Sequence, residues 1–195
     1  PLPVFAGSAG KRKFGGGVYD GEKYFILIPE ELTVVLRINR GNGLVKVLDE
    51  WPTGFIFADR NFVGAAFDGE WVWMAPAQAT TIVKVHPEKA VMVGVGTVSV
   101  TLQAGSTGKF QGACTDGESI YFSPYSAQAM VRVDIKTGKQ QHLSNWPSNY
   151  SFTEGASANK HRYSGCVFDG QSVWLTPLHN GELIRWRAAP LNTII

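Results

Sequence analysis

The sequence has little charge and few cysteines, and both shortages narrow the possibilities. Only 17% of its 195 residues are charged, and the formal net charge is +2. So small a positive excess does not predict binding to nucleic acid. The two cysteines are too few for a disulfide framework, and their number leaves the cellular location open while favouring a cytoplasmic one.

Long apolar runs are also missing, as is any complete catalytic signature. No run reaches the roughly 18 residues that a membrane-spanning helix needs, so we expect no membrane contact. The four histidines show no metal-ligand spacing, and the sequence contains neither a nucleophile elbow nor a phosphate-binding loop. We therefore expect no metal and no cofactor, and we favour a non-enzymatic role.

Glycine and aromatic residues, by contrast, are abundant. The chain contains 22 glycines, and 12% of its residues are aromatic. Aromatic residues are enriched in strands and glycines in tight turns, and no window shows a convincing helical period. This composition predicts an all-β protein.

The chain repeats one pattern four times. Each copy has an aromatic residue, an Asp-Gly pair six residues later, a proline, and a basic residue eight positions after the proline. The copies are Phe14, Asp20, Pro29, Arg37; Phe62, Asp68, Pro76, Lys84; Phe110, Asp116, Pro124, Arg132; and Tyr163, Asp169, Pro177, Arg185. The aromatic residues are 48, 48 and 53 positions apart. We therefore divide a single domain, 1–195, into repeats 14–61, 62–109, 110–162 and 163–195.

Each repeat predicts four β-strands. A short strand of small residues leads to the Asp-Gly pair, which predicts a two-residue type I′ hairpin turn. The second strand is rich in aromatic and β-branched residues and ends at the proline, because proline cannot donate to a strand ladder. The third strand carries the basic residue, and the fourth follows a turn such as the one at Thr137 and Gly138.

Four antiparallel strands repeated in one register resemble the blades of β-propeller repeat proteins, from Phe14 to about Ile195. The resemblance is to the architecture, since the motifs of the kelch and WD40 families are absent. It implies an all-β fold, a four-bladed β-propeller with four-stranded antiparallel blades. We expect residues 2–5 or 191–195 to close the ring as an extra strand, which predicts a monomer. The alternative is half of a larger propeller, completed by dimerisation or by missing sequence.

Both cysteines fall in the predicted inner strands, where the crowded axis of a small propeller requires small side chains. The aligned inner columns are Gly16, Gly64, Gly112 and Gly165; Gly17, Ala65, Ala113 and Cys166; and Val18, Ala66, Cys114 and Val167. We interpret the cysteines as buried apolar fillers. Because they occupy different columns, we predict no disulfide between them.

Basic residues stand just before each inner strand, in the links between blades. By analogy of fold, the face of a propeller that carries these links commonly holds the ligand. The candidate ligand-binding residues are Lys13, Arg60, Lys109 and Arg162. Such a ring could bind phosphate, sulfate, a carboxylate or an acidic peptide. The competing interpretation is that these residues are solvated loop charges.

The other repeated residues are assigned structural roles. The aspartates suit hairpins better than a metal site, and the basic residues of the third strands suit a solvated face or a contact between blades. Trp51 and Trp146 recur at matching places before a link, and we expect them to pack between blades. The alternative is that aromatic residues in the links that follow act as recognition elements, namely Phe55, Phe57, Tyr150 and Phe152.

The leading hypothesis is a non-enzymatic binding module that holds an anionic small molecule, a glycan or an acidic peptide on the link-bearing face. The first alternative is a hydrolase- or lyase-type enzyme with a site over the central channel. Its carboxylate pair would come from Glu30, Glu31, Asp59 and Glu154. The second alternative is a structural assembly component.

Overall fold

The chain forms fifteen β-strands within the residues that its computed structural model describes, which are 12–148, 161–179 and 182–187. The strands are β1 Phe14–Tyr19, β2 Tyr24–Pro29, β3 Val35–Asn39, β4 Val45–Leu48, β5 Phe62–Phe67, β6 Val72–Pro76, β7 Thr81–His86, β8 Val91–Thr97, β9 Phe110–Thr115, β10 Ser119–Pro124, β11 Met130–Asp134, β12 Gln140–Leu143, β13 Tyr163–Phe168, β14 Ser172–Pro177 and β15 Ile184–Arg187. None of the described residues lies in a helix long and apolar enough to cross a membrane.

Consecutive strands pair antiparallel and form four separate sheets. Blade 1 contains β1–β4, blade 2 contains β5–β8, blade 3 contains β9–β12, and blade 4 contains β13–β15. The prediction of a four-bladed, all-β propeller architecture is confirmed. The predicted extra strands at 2–5 and 191–195 lie outside the described residues, and so does any fourth strand of the last blade.

The inner strands lie side by side in the order β1, β5, β9, β13, with very close backbones. A Cβ added to Gly64 would lie 2.7 Å from the carbonyl oxygen of Gln111, and one added to Gly112 would lie 2.7 Å from the Cα of Gly165. Real Cβ atoms do not approach backbone so closely, so these two positions require glycine. The predicted small-residue column is therefore a packing requirement between neighbouring blades.

Within the described residues, the blades form an open arc, not the closed ring that we expected. No comparable contact joins β13 back to β1 among the described residues. The glycine column records this directly, because a Cβ added to Gly165 would meet no atom within 4 Å in the part of the chain described here. The alternative, a portion of a larger ring, fits this geometry.

Three hydrophobic cores lie between the blades, one at each junction. The first joins Ile26 and Val35 of blade 1 to Val83 of blade 2. The second joins Trp73 and other residues of blade 2 to blade 3, and the third joins blade 3 to blade 4. Each blade is thus a thin layer that buries a side against each neighbouring blade of the arc, as repeat architectures do.

The aspartate of each Asp-Gly pair organises its hairpin, but not as a type I′ turn. In blade 2, Asp68 Oδ1 accepts from the backbone N–H groups of Glu70 (2.8 Å) and Trp71 (2.6 Å). A type I′ turn needs positive φ at both central residues, yet Ala90 is the one non-glycine residue with positive φ in the described ranges. The type I′ prediction is wrong because the carboxylate, as in Asx-turns, closes a longer loop.

The second carboxylate oxygen of the hairpin aspartate accepts from the second strand in three blades. The bonds are Trp73 Nε1 to Asp68 (2.6 Å), Tyr121 OH to Asp116 (2.7 Å) and Trp174 Nε1 to Asp169 (2.6 Å). The basic residue of the third strand covers each of these rings, with cation-to-centroid distances of 4.8 Å, 6.0 Å and 5.6 Å. The repeated aspartate, aromatic ring and cation therefore form one structural unit, which confirms the structural role given to the aspartates.

Cys114 and Cys166 form a disulfide between blades 3 and 4, with their Cα atoms 5.5 Å apart. Our prediction of no disulfide is wrong. Cys114 and Gly112 lie on the side of β9 that faces β13, whereas on β13 the residue facing back is Cys166. Because successive residues of a strand point to opposite sides, facing side chains of adjacent blades come from adjacent columns. A disulfide is typical of an oxidising compartment, so the cysteine argument for a cytoplasmic location no longer holds.

Candidate functional site

A continuous belt of backbone hydrogen bonds runs along the link-bearing face. The residue before each inner strand donates its N–H to the residue that follows the proline of the preceding blade. The cross-blade bonds are Asn61 to Glu30 (2.6 Å), Lys109 to Ala77 (2.7 Å) and Arg162 to Tyr125 (2.8 Å). Within each blade, the residue after the proline donates back to the residue before the inner strand, as Glu30 does to Lys13 (3.1 Å). The belt fixes where the side chains of the links stand.

Three of the four candidate residues lie at blade junctions, where their side chains form hydrogen bonds with other parts of the chain. Arg60 donates from Nε to Glu30 Oε1 of blade 1 at 2.8 Å. Lys109 donates from Nζ to the carbonyl of Gln78 in blade 2 at 3.0 Å, and Arg162 donates to the side chain of Gln103 at 3.3 Å. Lys13 is exposed, and its carbonyl accepts from the Glu30 N–H within the belt.

Two guanidinium groups share one buried carboxylate at the junction of blades 1 and 2. Oε1 of Glu30 lies 3.2 Å from Arg12 Nη1 and 2.8 Å from Arg60 Nη2. The Glu30 side chain is buried, while that of Arg12 is largely exposed. A carboxylate with two charge-assisted partners is well satisfied, and the pair of arginines retains one net positive charge.

Lys109 is a buried cation in the third link. Burial lowers the pKa of Lys109 to about 8, because the ammonium loses hydration. Its side chain donates to the neutral carbonyl of Gln78. The Lys109 ammonium is therefore held at the blade junction at a desolvation cost, and it loses its charge as the pH rises through 8.

An open cavity of about 830 Å³ lies beside the two arginines. Its lining residues are Arg12, Glu31, Thr33, Ala58, Asp59, Arg60, Asn61 and Gln78. All except Ala58 are polar, and the wall includes carboxylates, guanidinium groups and amides. The cavity therefore offers hydrogen-bond donors and acceptors close together.

Aromatic rings stand behind this cavity. Trp51 donates from Nε1 to the carbonyl of Thr33 at 2.7 Å, and Thr33 lines the cavity. The Trp51 ring stacks on Phe55 (4.5 Å) and on Phe62 of the next inner strand (5.9 Å). Packing of Trp51 between blades is thus confirmed. Phe57 meets Trp51 edge-on at 5.3 Å and is itself exposed.

Trp146 repeats the arrangement of Trp51 at the junction of blades 3 and 4. It donates from Nε1 to the carbonyl of Gln128 at 2.9 Å and stacks over Tyr163 at 6.4 Å. Its role between blades is confirmed as well. The long link after it, which includes Tyr150 and Glu154, lies outside the described residues.

A second group of rings continues the same face toward blade 4. Tyr125 and His161 stack with their centroids 3.9 Å apart, and His179 lies 5.9 Å from His161. Burial, together with the nearby charges of His179 and Arg60, lowers the pKa of His161. His161 is therefore neutral at neutral pH and can act as a hydrogen-bond acceptor or donor.

A glycine makes room for this group. Gly108 occupies the position that is Arg12, Arg60 or His161 in the other repeats, two residues before the inner aromatic. A Cβ on Gly108 would lie 3.2 Å from the Tyr125 ring and 4.0 Å from Arg60 Nη1. Gly108 thus leaves space for Arg60, which lines the cavity, to lie near the Tyr125–His161 stack. We call the cavity together with this stack the groove.

Sequence reasoning missed Arg12, Gln78, Tyr125 and His161 as a group. The position two residues before each inner aromatic held the signal, since it differs in kind between repeats. Our interpretation used only the positive charges of the links. The described residues contain no group of three or more His, Cys, Asp or Glu arranged to hold a metal ion.

Comparison with solved structures identifies the architecture. The chain is similar to virginiamycin B lyase from Staphylococcus aureus, with a TM-score of 0.57 and 11% identity over 88% of this chain and 54% of that one. It is also similar to an auxiliary nutrient binding protein from Bacteroides thetaiotaomicron, with a TM-score of 0.55 and 11% identity over 90% of this chain and 38% of that one. A streptogramin B lyase matches with a TM-score of 0.56 and 15% identity, over 85% of this chain and 49% of that one.

These likenesses support a β-propeller repeat protein without a specific family. The chain spans about half the length of the two lyases that it matches. No protein-family model matches the chain, and no curated protein matches it in sequence. The neighbours include lyases, a nutrient-binding protein and an extracellular domain, so both binding and enzyme roles are compatible with the fold.

Proposed function

We propose that this chain is a binding module that holds a glycan in the groove of its link-bearing face. The observation that carries the proposal is the cavity between blades 1 and 2, whose wall is polar at every position except Ala58 and carries both charge signs. A sugar hydroxyl donates and accepts at once, so it suits a wall that mixes donors and acceptors.

The aromatic rings along the groove support the same class of ligand. The partly exposed Tyr125–His161 stack offers aromatic surface on which a sugar ring can rest, and Phe57 is a further exposed ring beside Trp51. The similarity in fold to a nutrient-binding protein is consistent with a binding role. The glycan is one of the three ligand classes expected from the sequence.

A purely anionic ligand fits the groove less well. The charge of Arg12 and Arg60 is partly neutralised by Glu30, and Glu31 and Asp59 line the same cavity. A fully ionised phosphate or a carboxylate would be repelled by these two carboxylates, and it has no hydrogen-bond donor with which to offset the repulsion. The basic-ring hypothesis for Lys13, Arg60, Lys109 and Arg162 is kept as the competing proposal.

The test is calorimetric titration with a panel of neutral oligosaccharides, a sulfated oligosaccharide, inorganic phosphate and an acidic peptide. We expect binding to a neutral oligosaccharide, weakened at least tenfold by Asp59→Ala and unchanged by Glu118→Ala. Glu118 is the matched control, because it is an exposed carboxylate in the β9–β10 hairpin on the opposite face. Binding of phosphate or the acidic peptide alone would replace the glycan proposal with the basic ring, and no binding at all would refute both.

A second candidate function is a lyase-type enzyme, favoured by the neutral His161 in its stack with Tyr125. A histidine that is neutral at pH 7 suits a general base. One structural neighbour is a virginiamycin B lyase described as catalytically inactive after a histidine-to-alanine change, and it was solved with quinupristin. Incubation of the chain with quinupristin, followed by mass spectrometry, tests this candidate. Turnover that His161→Ala abolishes would support it, and an unaltered compound would count against this substrate class.

A further inference from the structure

The last blade exposes side chains that the repeat buries in every other blade. Leu183 precedes β15 and is 60% exposed. Leu183 stands two residues before the repeated basic residue of the third strand. The residues at this position in the other blades are all fully buried between blades: Val35, Ile82 and Met130. Val167 in β13 is also 60% exposed, whereas its equivalents Ala66 and Cys114 are buried and Val18 is partly buried. This side of blade 4 is built as an inter-blade contact.

The first blade exposes the complementary side. Phe25 in β2 is 39% exposed. The equivalent positions in the other blades, Val72, Ile120 and Val173, are fully buried against the preceding blade. Blade 1 therefore presents the side that receives a preceding blade, and blade 4 presents the side that receives a following one.

We propose that a second copy of this chain covers both sides, with blade 4 of each copy packed against blade 1 of the other. Two four-bladed arcs would then close one ring of eight blades through two identical head-to-tail contacts. The new contacts would continue the three blade junctions already present in the chain.

A basic side chain on blade 4 supports the same contact between copies. At the first junction, Arg37 donates from Nη1 to the carbonyls of Pro87 and Glu88 in the next blade, at 2.9 Å and 3.0 Å. Arg185 holds the equivalent position in blade 4 and is exposed. In the ring it would donate to the β3–β4 turn of the second copy. The ring would also place His179 of one copy beside Arg12 of the other, extending the groove.

The test is light scattering of the 195-residue chain over a wide concentration range, with two matched variants. Leu183→Glu places a charge on the proposed contact. Val91→Glu places the same charge on an exposed valine of the outer strand β8, away from both ends. We expect a mass twice that of the chain for the wild type and for Val91→Glu, and a monomer for Leu183→Glu. Circular dichroism confirms that the variants are folded.

Three results would overturn the proposal. A wild-type monomer at every concentration would mean that something other than a second copy covers the two sides, such as the chain's own ends or another protein. A dimer that persists in Leu183→Glu would mean that another surface associates. Masses that grow without limit would mean that the arcs join end to end without closing a ring.

Discussion

The two faces of the blade arc use their repeated positions in opposite ways. On the hairpin face, the same aspartate recurs in all four blades and accepts the same backbone bonds each time. On the link-bearing face, one position is Arg12, Arg60, Gly108 and His161 in turn. Within one chain, the repeated residue holds the blade together, and the divergent position is free to form a site.

The charged groups of the two faces also differ, since the repeated aspartates of the hairpin face are paired within one blade and three basic residues of the link-bearing face lie at blade junctions. The hydrogen bond from Trp174, with those from two backbone N–H groups, lowers the pKa of Asp169 on the hairpin face. This charge is fully satisfied within its own blade. On the link-bearing face, burial lowers the pKa of Lys109, and the nearby carboxylates leave a mixed wall. The predictions below test whether the hairpin face affects stability and the link-bearing face affects binding.

The largest effect on stability is expected from Asp68→Ala. The change removes the acceptor of two backbone N–H groups and of the indole of Trp73, which is fully buried. An unsatisfied buried donor costs about 1–3 kcal/mol, so we expect a loss of about 2–4 kcal/mol in the free energy of unfolding. Denaturant unfolding measures it.

The control for this variant is Asp20→Ala in blade 1. Asp20 Oδ1 accepts from three backbone N–H groups near the surface, but Ile26 stands where the other blades have the hydrogen-bonding ring. Water can replace those bonds, so we expect a loss of about 1–2 kcal/mol. Equal losses in the two variants would contradict the special role of the buried indole bond.

A smaller, pH-dependent effect is expected at Lys109. Its folded-state pKa is about 8, below the ordinary value of 10.5. Between these values the unfolded state binds the proton and the folded state does not, so the free energy of unfolding rises with pH. Below pH 8 the full cost of burying the charge is present. Lys109→Met should remove this rise, as measured by thermal unfolding at stepped pH.

The matched control is Lys46→Met, since Lys46 is exposed on the outer strand β4. That variant should keep the rise between pH 8 and 10.5. A rise that survives in Lys109→Met would assign the pH dependence to another group.

The smallest effect on stability is expected from Asp59→Ala on the link-bearing face. Asp59 is exposed, and a surface change of this kind usually alters the free energy of unfolding by less than about 0.5 kcal/mol. The same variant should weaken oligosaccharide binding at least tenfold. A large loss of stability with unchanged binding would reverse the roles that we assign to the two faces.

The strands and blades were predictable because each repeats a pattern that local physics explains. Alternating apolar residues marked the strands, and the proline that closes each second strand marked its end. Ring closure was not predictable, because it depends on the small rotation between successive blades. That rotation has no signature in any one repeat.

The disulfide was missed because it is a contact between repeats. Aligning the repeats places Cys114 and Cys166 in different columns, yet the pleat makes those two columns face each other across a blade junction. For the candidate site, the sequence predicted the face of the blades on which it lies but not the residues that form it. The links were identified, but the pairing of Arg12 with Arg60 through Glu30 depends on side-chain packing that spacing does not encode.

Hydrogen exchange with and without the tightest-binding oligosaccharide tests the central claim most directly. The account predicts that the ligand protects backbone amides along the link-bearing face, at residues 58–61 and 77–78. The hairpins at 68–71 and 116–119 should exchange at the same rate in both states. Protection confined to the hairpins, or spread equally over both faces, would contradict the division between a structural face and a binding face.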